Sequence, residues 1–280
     1  MNTLEWPKLK NIIILILLLV NGFLLVLVVG REFQVSRYER SAFTQAGQVL
    51  SQNGITVDED LLEQAVRESL VPLTVQRDLQ AEMDIAQALL GGQAVRTDQG
   101  GGLYGYDSDR GSALFRSNGD FSFSLLDCPL DGQSPSNHAA DILKQMGLNG
   151  EELGSQTAGE QTKVSFRQVL NDVPVYTCRL DFLYGNGRLL SISGTLMTGS
   201  VTPVSTPSSA LDLPTALISF LRGVLERGDV CSSIDGLRLG YRSSQAFGAD
   251  IRLTPTWLIT TNISGYYLDA ATGTLTPAEI

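Results

Sequence analysis

The chain has 280 residues, of which 30 are acidic and 20 are basic, so its formal net charge is −10. An acidic surface repels nucleic acid and anionic polymers, and the composition therefore predicts no nucleic-acid partner. The apolar content of 43% is sufficient for a membrane segment together with one or two hydrophobic cores.

A short head, residues 1–11, determines the orientation of the chain. Lys8 and Lys10 lie directly before a long apolar segment, whereas the charges that follow this segment are of mixed sign. The positive-inside rule then places the head in the cytoplasm and the C-terminal body outside the cell. Trp6 is expected to anchor the chain at the lipid headgroups.

Residues 12–30 are predicted to form a single transmembrane helix. Within residues 12–29, only Asn21 and Gly22 interrupt an uncharged apolar run that as a helix would be about 27 Å long, close to the thickness of the hydrocarbon core. A signal peptide has a shorter apolar core and a small-residue cleavage site, which this sequence lacks. We therefore predict an uncleaved signal-anchor in the cell membrane.

Residues 31–131 are predicted to form a juxtamembrane helix and a first α+β region. Apolar residues at helical spacing continue to Leu50, and Asn53-Gly54 is a stop signal. Asp58 is a typical N-cap for a second helix.

The later part of this region has a strand-like pattern that glycines interrupt. A short helix is predicted over residues 85–90 and three short strands over residues 103–125. Asn118-Gly119 is a typical hairpin turn between the last two of these strands.

Residues 132–200 are predicted to form a helix followed by a three-stranded antiparallel meander. Ser134 caps the helix, which ends before Gly147, and a polar linker is predicted over residues 150–162. Alternating apolar residues then indicate the strands.

Residues 201–280 repeat this architecture. Asp212 and Pro214 begin a helix, Gly228 ends it, and another meander follows. Two helix-plus-meander units indicate a duplication, and the predicted fold class is α+β.

The start of the chain resembles the YycI family, whose members typically have a short W-x-K-x-K head that leads directly into a span with an Asn in its second half. Trp6, Lys8, Lys10 and Asn21 have this spacing. The C-terminal part is similar to the last hairpin of PepSY-like domains. The residues that carry this second resemblance are Trp257, Tyr266, Tyr267, Asp269 and Gly273.

The resemblance implies a function in signal transduction. Proteins of the YycI family are membrane-anchored regulators that accompany the essential cell-wall sensor kinase WalK of Gram-positive bacteria. By this likeness the chain would restrain a two-component sensor histidine kinase, and so contribute to cell wall homeostasis. It would do so through contacts of its membrane helix with the kinase and with a sister membrane protein.

The span itself offers a physical basis for such contacts. An amide in hydrocarbon has no water to bond, so Asn21 gains about 0.6 to 2 kcal/mol from a partner on another helix. Gly22 allows a second backbone to approach closely. The alternative is that Asn21 bonds only the backbone of its own helix.

The sequence gives little support for catalysis, and we predict no enzyme activity, no cofactor and no metal. His138 is the single histidine and is expected to be solvated in the first turn of a helix. No nucleophile elbow and no zinc motif accompany it.

The three cysteines, Cys128, Cys178 and Cys231, are too few for a disulfide scaffold. Cys178 lies within an alternating strand pattern and is expected to be a small core residue. The sequence leaves open whether any two of them pair.

An alternative function is a membrane-tethered PepSY-type module that binds an envelope ligand or restrains a peptidase. A cleft between the two repeat units, lined by Tyr241, Trp257 and Tyr267, would favour this alternative. A secreted hydrolase is a third possibility and would require processing after the span.

Overall fold

The computed structural model describes residues 17–18, 20–21, 42–65, 69–204, 211–245 and 250–278. The predicted head residues Trp6, Lys8 and Lys10 and the predicted contact residue Gly22 lie outside this set, as does most of the predicted span. The few span residues within it, Asn21 included, are helical and exposed. In the part of the chain that the structure describes, no helix has the length and apolar character needed to cross a bilayer.

The described residues form a mixed α+β fold that is mostly sheet with few helices, which confirms the predicted fold class. The helices are α1 (42–52), α2 (Glu59–Ala65), α3 (Leu79–Leu90), α4 (Pro135–Gln145) and α5 (Leu213–Arg227). The strands are β1 (Thr56–Val57), β2 (Leu73–Arg77), β3 (Val95–Asp98), β4 (Tyr104–Ser108), β5 (Gly111–Phe115), β6 (Asp120–Leu125), β7 (Asn149–Ala158), β8 (Gln161–Leu170), β9 (Val173–Gly185), β10 (Arg188–Thr195), β11 (Gly199–Pro203), β12 (Ser233–Gln245), β13 (Asp250–Thr261), β14 (Gly265–Asp269) and β15 (Leu275–Ala278).

Three successive segments share one architecture, a helix followed by four antiparallel strands. The first unit is α3 with β3 to β6, the second is α4 with β7 to β10, and the third is α5 with β12 to β15. Within each unit, consecutive strands are neighbours in the sheet. Short hairpin connections explain this order, because antiparallel neighbours need only a few residues to turn.

The first two units join edge to edge into one sheet. Their last strands, β6 and β10, pair antiparallel, so the strand order is β3-β4-β5-β6-β10-β9-β8-β7. Helices α3 and α4 cover one face of this sheet, and their apolar side chains share a core with Phe123, Phe182 and Ile192. An antiparallel sheet needs such a core on only one of its faces.

The third unit contains the N-terminal helices in its core. Ala46 and Leu50 of α1 pack with Phe220 of α5 and Trp257 of β13, and Ala65 of α2 belongs to the same cluster. Strand β1 pairs in parallel with the start of β12. Helices α1 and α2 and the last unit of the chain therefore share a single core.

Two strands outside the repeats connect the sheet of the third unit with the other two units. β2 pairs with β13, and β11 pairs with β2. A direct bridge between Tyr241 of β12 and Val175 of β9 also joins the two sheets. The buried amide of Gln168 closes this junction, since it exchanges two hydrogen bonds of 2.9 Å with the backbone of Met197.

Local signals in the sequence located the start of α4 and both ends of α5, whereas α3 begins at Leu79 rather than at the predicted residue 85. The side chain of Ser134 accepts from the amide of Asn137, and that of Asp212 accepts from the amide of Thr215. Gly228 ends α5 in the left-handed conformation with a φ of 72°.

The predicted polar linker over residues 150–162 was wrong, because most of it is strand β7. This strand is the edge of its sheet, and none of its residues is buried. A strand that is exposed on both faces has no apolar alternation to reveal it. For the same reason the sequence predicted three strands after α4 where there are four, and it missed that α3 begins a further unit.

One buried ion pair connects several elements at the start of the first unit. Arg77 donates from Nε and Nη2 to the two carboxylate oxygens of Glu82, at 2.6 and 3.0 Å. The guanidinium also donates to the carbonyl oxygens of Gly102 and Phe115 and lies over the ring of Tyr104. This pair therefore joins β2, α3, the turn at Gly102 and β5.

We expect Glu82→Gln to lower the free energy of unfolding by about 3 kcal/mol, because it leaves the buried Arg77 charge without its counter-ion. Chemical denaturation of the full chain measures this change. The matched control is Glu226→Gln, which removes the partner of Arg222 on the exposed side of α5 and should cost less than about 0.5 kcal/mol. Equal losses in the two variants would contradict the structural role of the Arg77 pair.

Candidate functional site

The sheet of the third unit has one face covered by helices and one open face. Leu239, Trp257 and Leu268 point toward α5. Because side chains alternate along a strand, their neighbours Arg238, Leu258 and Tyr267 lie on the opposite face, where the register places them side by side. Arg242 and Arg252 share this face by the same alternation.

Two tyrosines from different units meet on this open face. The rings of Tyr176 in β9 and Tyr267 in β14 lie 5.2 Å apart between centroids. Gly240 makes this contact possible, because a Cβ at this position would lie 2.7 Å from the Tyr176 ring and from the carbonyl oxygen of Pro174. The Tyr176 hydroxyl donates to the carbonyl oxygen of Arg238 at 2.8 Å.

Each tyrosine carries an arginine over its ring. The guanidinium carbon of Arg167 lies 5.2 Å from the centroid of Tyr176, and that of Arg242 lies 4.8 Å from the centroid of Tyr267. Stacking on an aromatic face fixes the plane of a guanidinium and leaves the N–H groups at its edge available for hydrogen bonds. We call this set the arginine–tyrosine surface. It comprises Arg167, Tyr176, Arg238, Arg242, Arg252 and Tyr267.

A glutamate of the second unit already bridges two of these arginines. The Oε1 atom of Glu151 accepts a hydrogen bond of 3.1 Å from Arg167, and its Oε2 atom lies 2.7 Å from Nη1 of Arg238 in an ion pair. Within the described residues, Arg242 and Arg252 have no carboxylate within ion-pair distance. Arg242 donates to the hydroxyl of Thr276 at 3.0 Å.

The arginine–tyrosine surface differs in charge from the rest of the chain. Its four arginines share this face with three carboxylates, since Glu151 contacts two of them and strand alternation places Asp250 and Asp269 on the same side of the sheet. The carboxylate of Asp269 is held by the backbone amides of Ala271 and Thr272. A local excess of positive charge therefore occurs on a chain whose net charge is −10.

The residues predicted to form the C-terminal hairpin have mainly structural roles. Trp257 is buried, and the Tyr266 hydroxyl donates to Asp229 at 3.2 Å. Asp269 and Gly273 close the turn, where Gly273 has a φ of 71° and its amide donates to the Asp269 carbonyl oxygen at 2.8 Å. Of the five hairpin residues, only Tyr267 belongs to the arginine–tyrosine surface.

Tyr241, Trp257 and Tyr267 do not line a common cleft, so the condition that would favour the envelope-binding alternative is not met. Tyr241 and Trp257 are buried in two different clusters of the core, and the Tyr241 hydroxyl donates to the carbonyl oxygen of Val71 at 3.0 Å. Both residues lie on strands that are buried on one face, which explains their apolar surroundings. The sequence did contain a signal for the arginine–tyrosine surface, since Arg238 and Arg242 lie on the same face of β12, but the prediction did not use it.

His138 is half-buried rather than solvated, so this prediction was wrong. Its Nδ1 lies 3.1 Å from the hydroxyl of the buried Tyr184, and the two rings meet edge to face. Burial lowers the pKa of His138, and the nearby carboxylates of Asp131 and Asp141 offset only part of this effect. The sequence could not reveal the contact, because Tyr184 is 46 residues away.

The three cysteines are all free thiols. Cys178 is buried in a core cluster with Val175 and Tyr241, which is consistent with the predicted core role. Burial raises the pKa of its thiol to about 12. In the part of the chain that the structure describes, no group of three or more histidine, cysteine, aspartate or glutamate side chains could hold a metal ion.

No protein-family model matches the sequence, and no curated protein is similar to it. Among solved structures, the chain is similar to an uncharacterized protein from Eubacterium rectale ATCC 33656, with 9% identity, a TM-score of 0.47, and coverage of 74% of this chain and 86% of that one. It is also similar to the C-terminal domain of Bacillus megaterium YpeB, with 12% identity, a TM-score of 0.39, and coverage of 74% and 100%. At these scores the likeness supports no statement about function.

We expect the environment of His138 to make stability depend on pH. Since burial lowers its pKa in the folded state, the unfolded chain binds the proton first as the pH falls below about 6.5. The free energy of unfolding should therefore decrease from pH 7.5 towards pH 5, and His138→Gln should remove part of this decrease. Denaturant titrations of both proteins across this range measure the difference. Identical pH profiles would show that His138 titrates normally in the folded chain.

Proposed function

We propose that the chain is a single-pass membrane protein that modulates, and in its resting state restrains, a cell-wall-sensing histidine kinase. Its head would lie in the cytoplasm and its α+β body outside the cell. The likeness of the N-terminus to the YycI family supports this proposal, and the likeness of the C-terminal hairpin to PepSY-like domains supports a PepSY-like identity for the repeated units. A sister membrane regulator would be the second partner.

The observation that carries the proposal is the position of α1. Residues 31–41 alone separate it from the predicted end of the span, and such a connection reaches at most about 40 Å when fully extended. Leu50 of α1 is fully buried in the core of the third unit. A partner that displaces the span would therefore act on a segment that leads within a few residues into a packed element of the body.

Asn21 is the residue through which the span would contact the kinase. It is helical and exposed, so its amide is on the surface of the helix. In hydrocarbon this amide has no water to bond, and a partner helix would supply the missing hydrogen bond. Gly22 would allow the close approach that such a bond requires.

We expect Asn21→Leu to reduce recovery of the kinase severalfold in a crosslinking pull-down from native membranes, because an interhelical bond worth about 1 kcal/mol is lost. The matched control is Val20→Leu, an apolar substitution at the adjacent position that leaves the amide in place. Expression level and the unfolding transition of the body should be the same in all three proteins.

Two results would contradict the proposal. Equal recovery with Asn21→Leu and Val20→Leu would show that the span does not carry the contact. Recovery of no kinase with the wild-type chain would remove the regulatory role and leave the binding of an envelope ligand as the leading alternative.

A further inference from the structure

We infer that the arginine–tyrosine surface binds an extended acidic segment of a partner protein, whose carboxylates pair with Arg238, Arg242 and Arg252. This inference concerns the open face of the third unit and does not rest on the proposed kinase contact in the membrane.

One contact within the chain shows that this surface binds carboxylates. The carboxylate of Glu151 spans two guanidinium groups, with one oxygen on Arg167 and the other on Arg238. Glu151 lies against Nη1 of Arg238, and the side chain of Arg238 is 46% exposed. A second carboxylate can therefore bind Arg238 in the way that Glu151 does.

Arg242 is the stronger candidate because it is oriented and has no anionic partner among the described residues. The Tyr267 ring fixes the plane of its guanidinium, and Thr276 accepts one of its five N–H groups. The remaining donors form a planar fork that matches the two oxygens of a carboxylate. An arginine held in this way loses little conformational entropy when it binds.

The spacing of the arginines indicates an extended ligand. Arg238 and Arg242 are four residues apart on β12, which corresponds to about 13 Å along the strand. Arg252 lies diagonally across from Arg242, since Arg242 pairs with Thr254 and Arg252 with Ser244. In an extended peptide, alternate side chains point the same way at intervals of about 7 Å, so acidic residues at alternate positions can reach these charges.

The net charge of the chain favours a short acidic segment as the ligand over a large anionic surface. Electrostatic interactions are screened beyond about 10 Å at moderate salt, so a peptide on this surface would experience mainly the local arginines. An anionic bilayer would also face the remaining acidic surface of a chain whose net charge is −10, as would a second copy of this chain.

The experiment uses the full-length chain in detergent and a fluorescein-labelled octapeptide of alternating glutamate and glycine. Fluorescence anisotropy gives the Kd, with a peptide of alternating glutamine and glycine as the uncharged probe. We expect Arg242→Gln combined with Arg252→Gln to weaken binding of the acidic peptide by about tenfold or more, because charge-assisted hydrogen bonds are lost. The matched control is Arg222→Gln on the exposed side of α5, which should change the Kd by less than about twofold.

Two further variants separate recognition from damage to the fold. Arg252→Gln alone changes an exposed side chain and should weaken binding while the unfolding transition stays unchanged. Arg242→Lys retains the charge but loses the planar fork, so its affinity should lie between those of the wild type and Arg242→Gln.

The inference fails if the acidic peptide does not bind, if the glutamine peptide binds equally well, or if Arg222→Gln weakens binding as much as the double substitution. Tighter binding to phosphatidylglycerol vesicles than to the peptide, abolished by the double substitution, would assign the surface to a membrane instead. None of these results depends on a kinase, so they are independent of the pull-down.

Discussion

The fold depends on one constraint, which is that each four-stranded meander has a single helix to cover it. A helix buries one face of a sheet, and the other face must then be polar or be covered by another part of the chain. The first two units satisfy this constraint by joining edge to edge, so that α3 and α4 cover one wide sheet and build one core. The third unit recruits α1 and α2 beside α5.

The junction between the two sheets follows from the same constraint. Tyr176 covers part of the open face of the sheet in the third unit. Its ring fits there because Gly240 has no side chain. This contact brings Glu151 and Arg167 of the second unit against Arg238 of the third. The arginine–tyrosine surface is thus a consequence of how the units meet, and neither unit contains it alone.

The position of α1 connects this architecture with the proposed role. The helix that follows the predicted span packs in the core that the last unit builds, and β1 pairs with the first residues of β12. A force on the span would act on the same unit that presents the arginine–tyrosine surface. Helix α1 and the open sheet face are in this way parts of one packed body.

The sequence by itself determined the features that depend on neighbouring residues. Ser134 and Asp212 predicted helix starts, Asn118-Gly119 predicted a hairpin, and alternating apolar residues predicted the strands that have one buried face. Strand β7 escaped prediction because both of its faces are exposed, and the pairing of β6 with β10 depends on contacts between distant segments. Only the tertiary structure brought Tyr176 to Tyr267 and Glu151 to Arg238, since the register that aligns them is set across strands that are far apart in the chain.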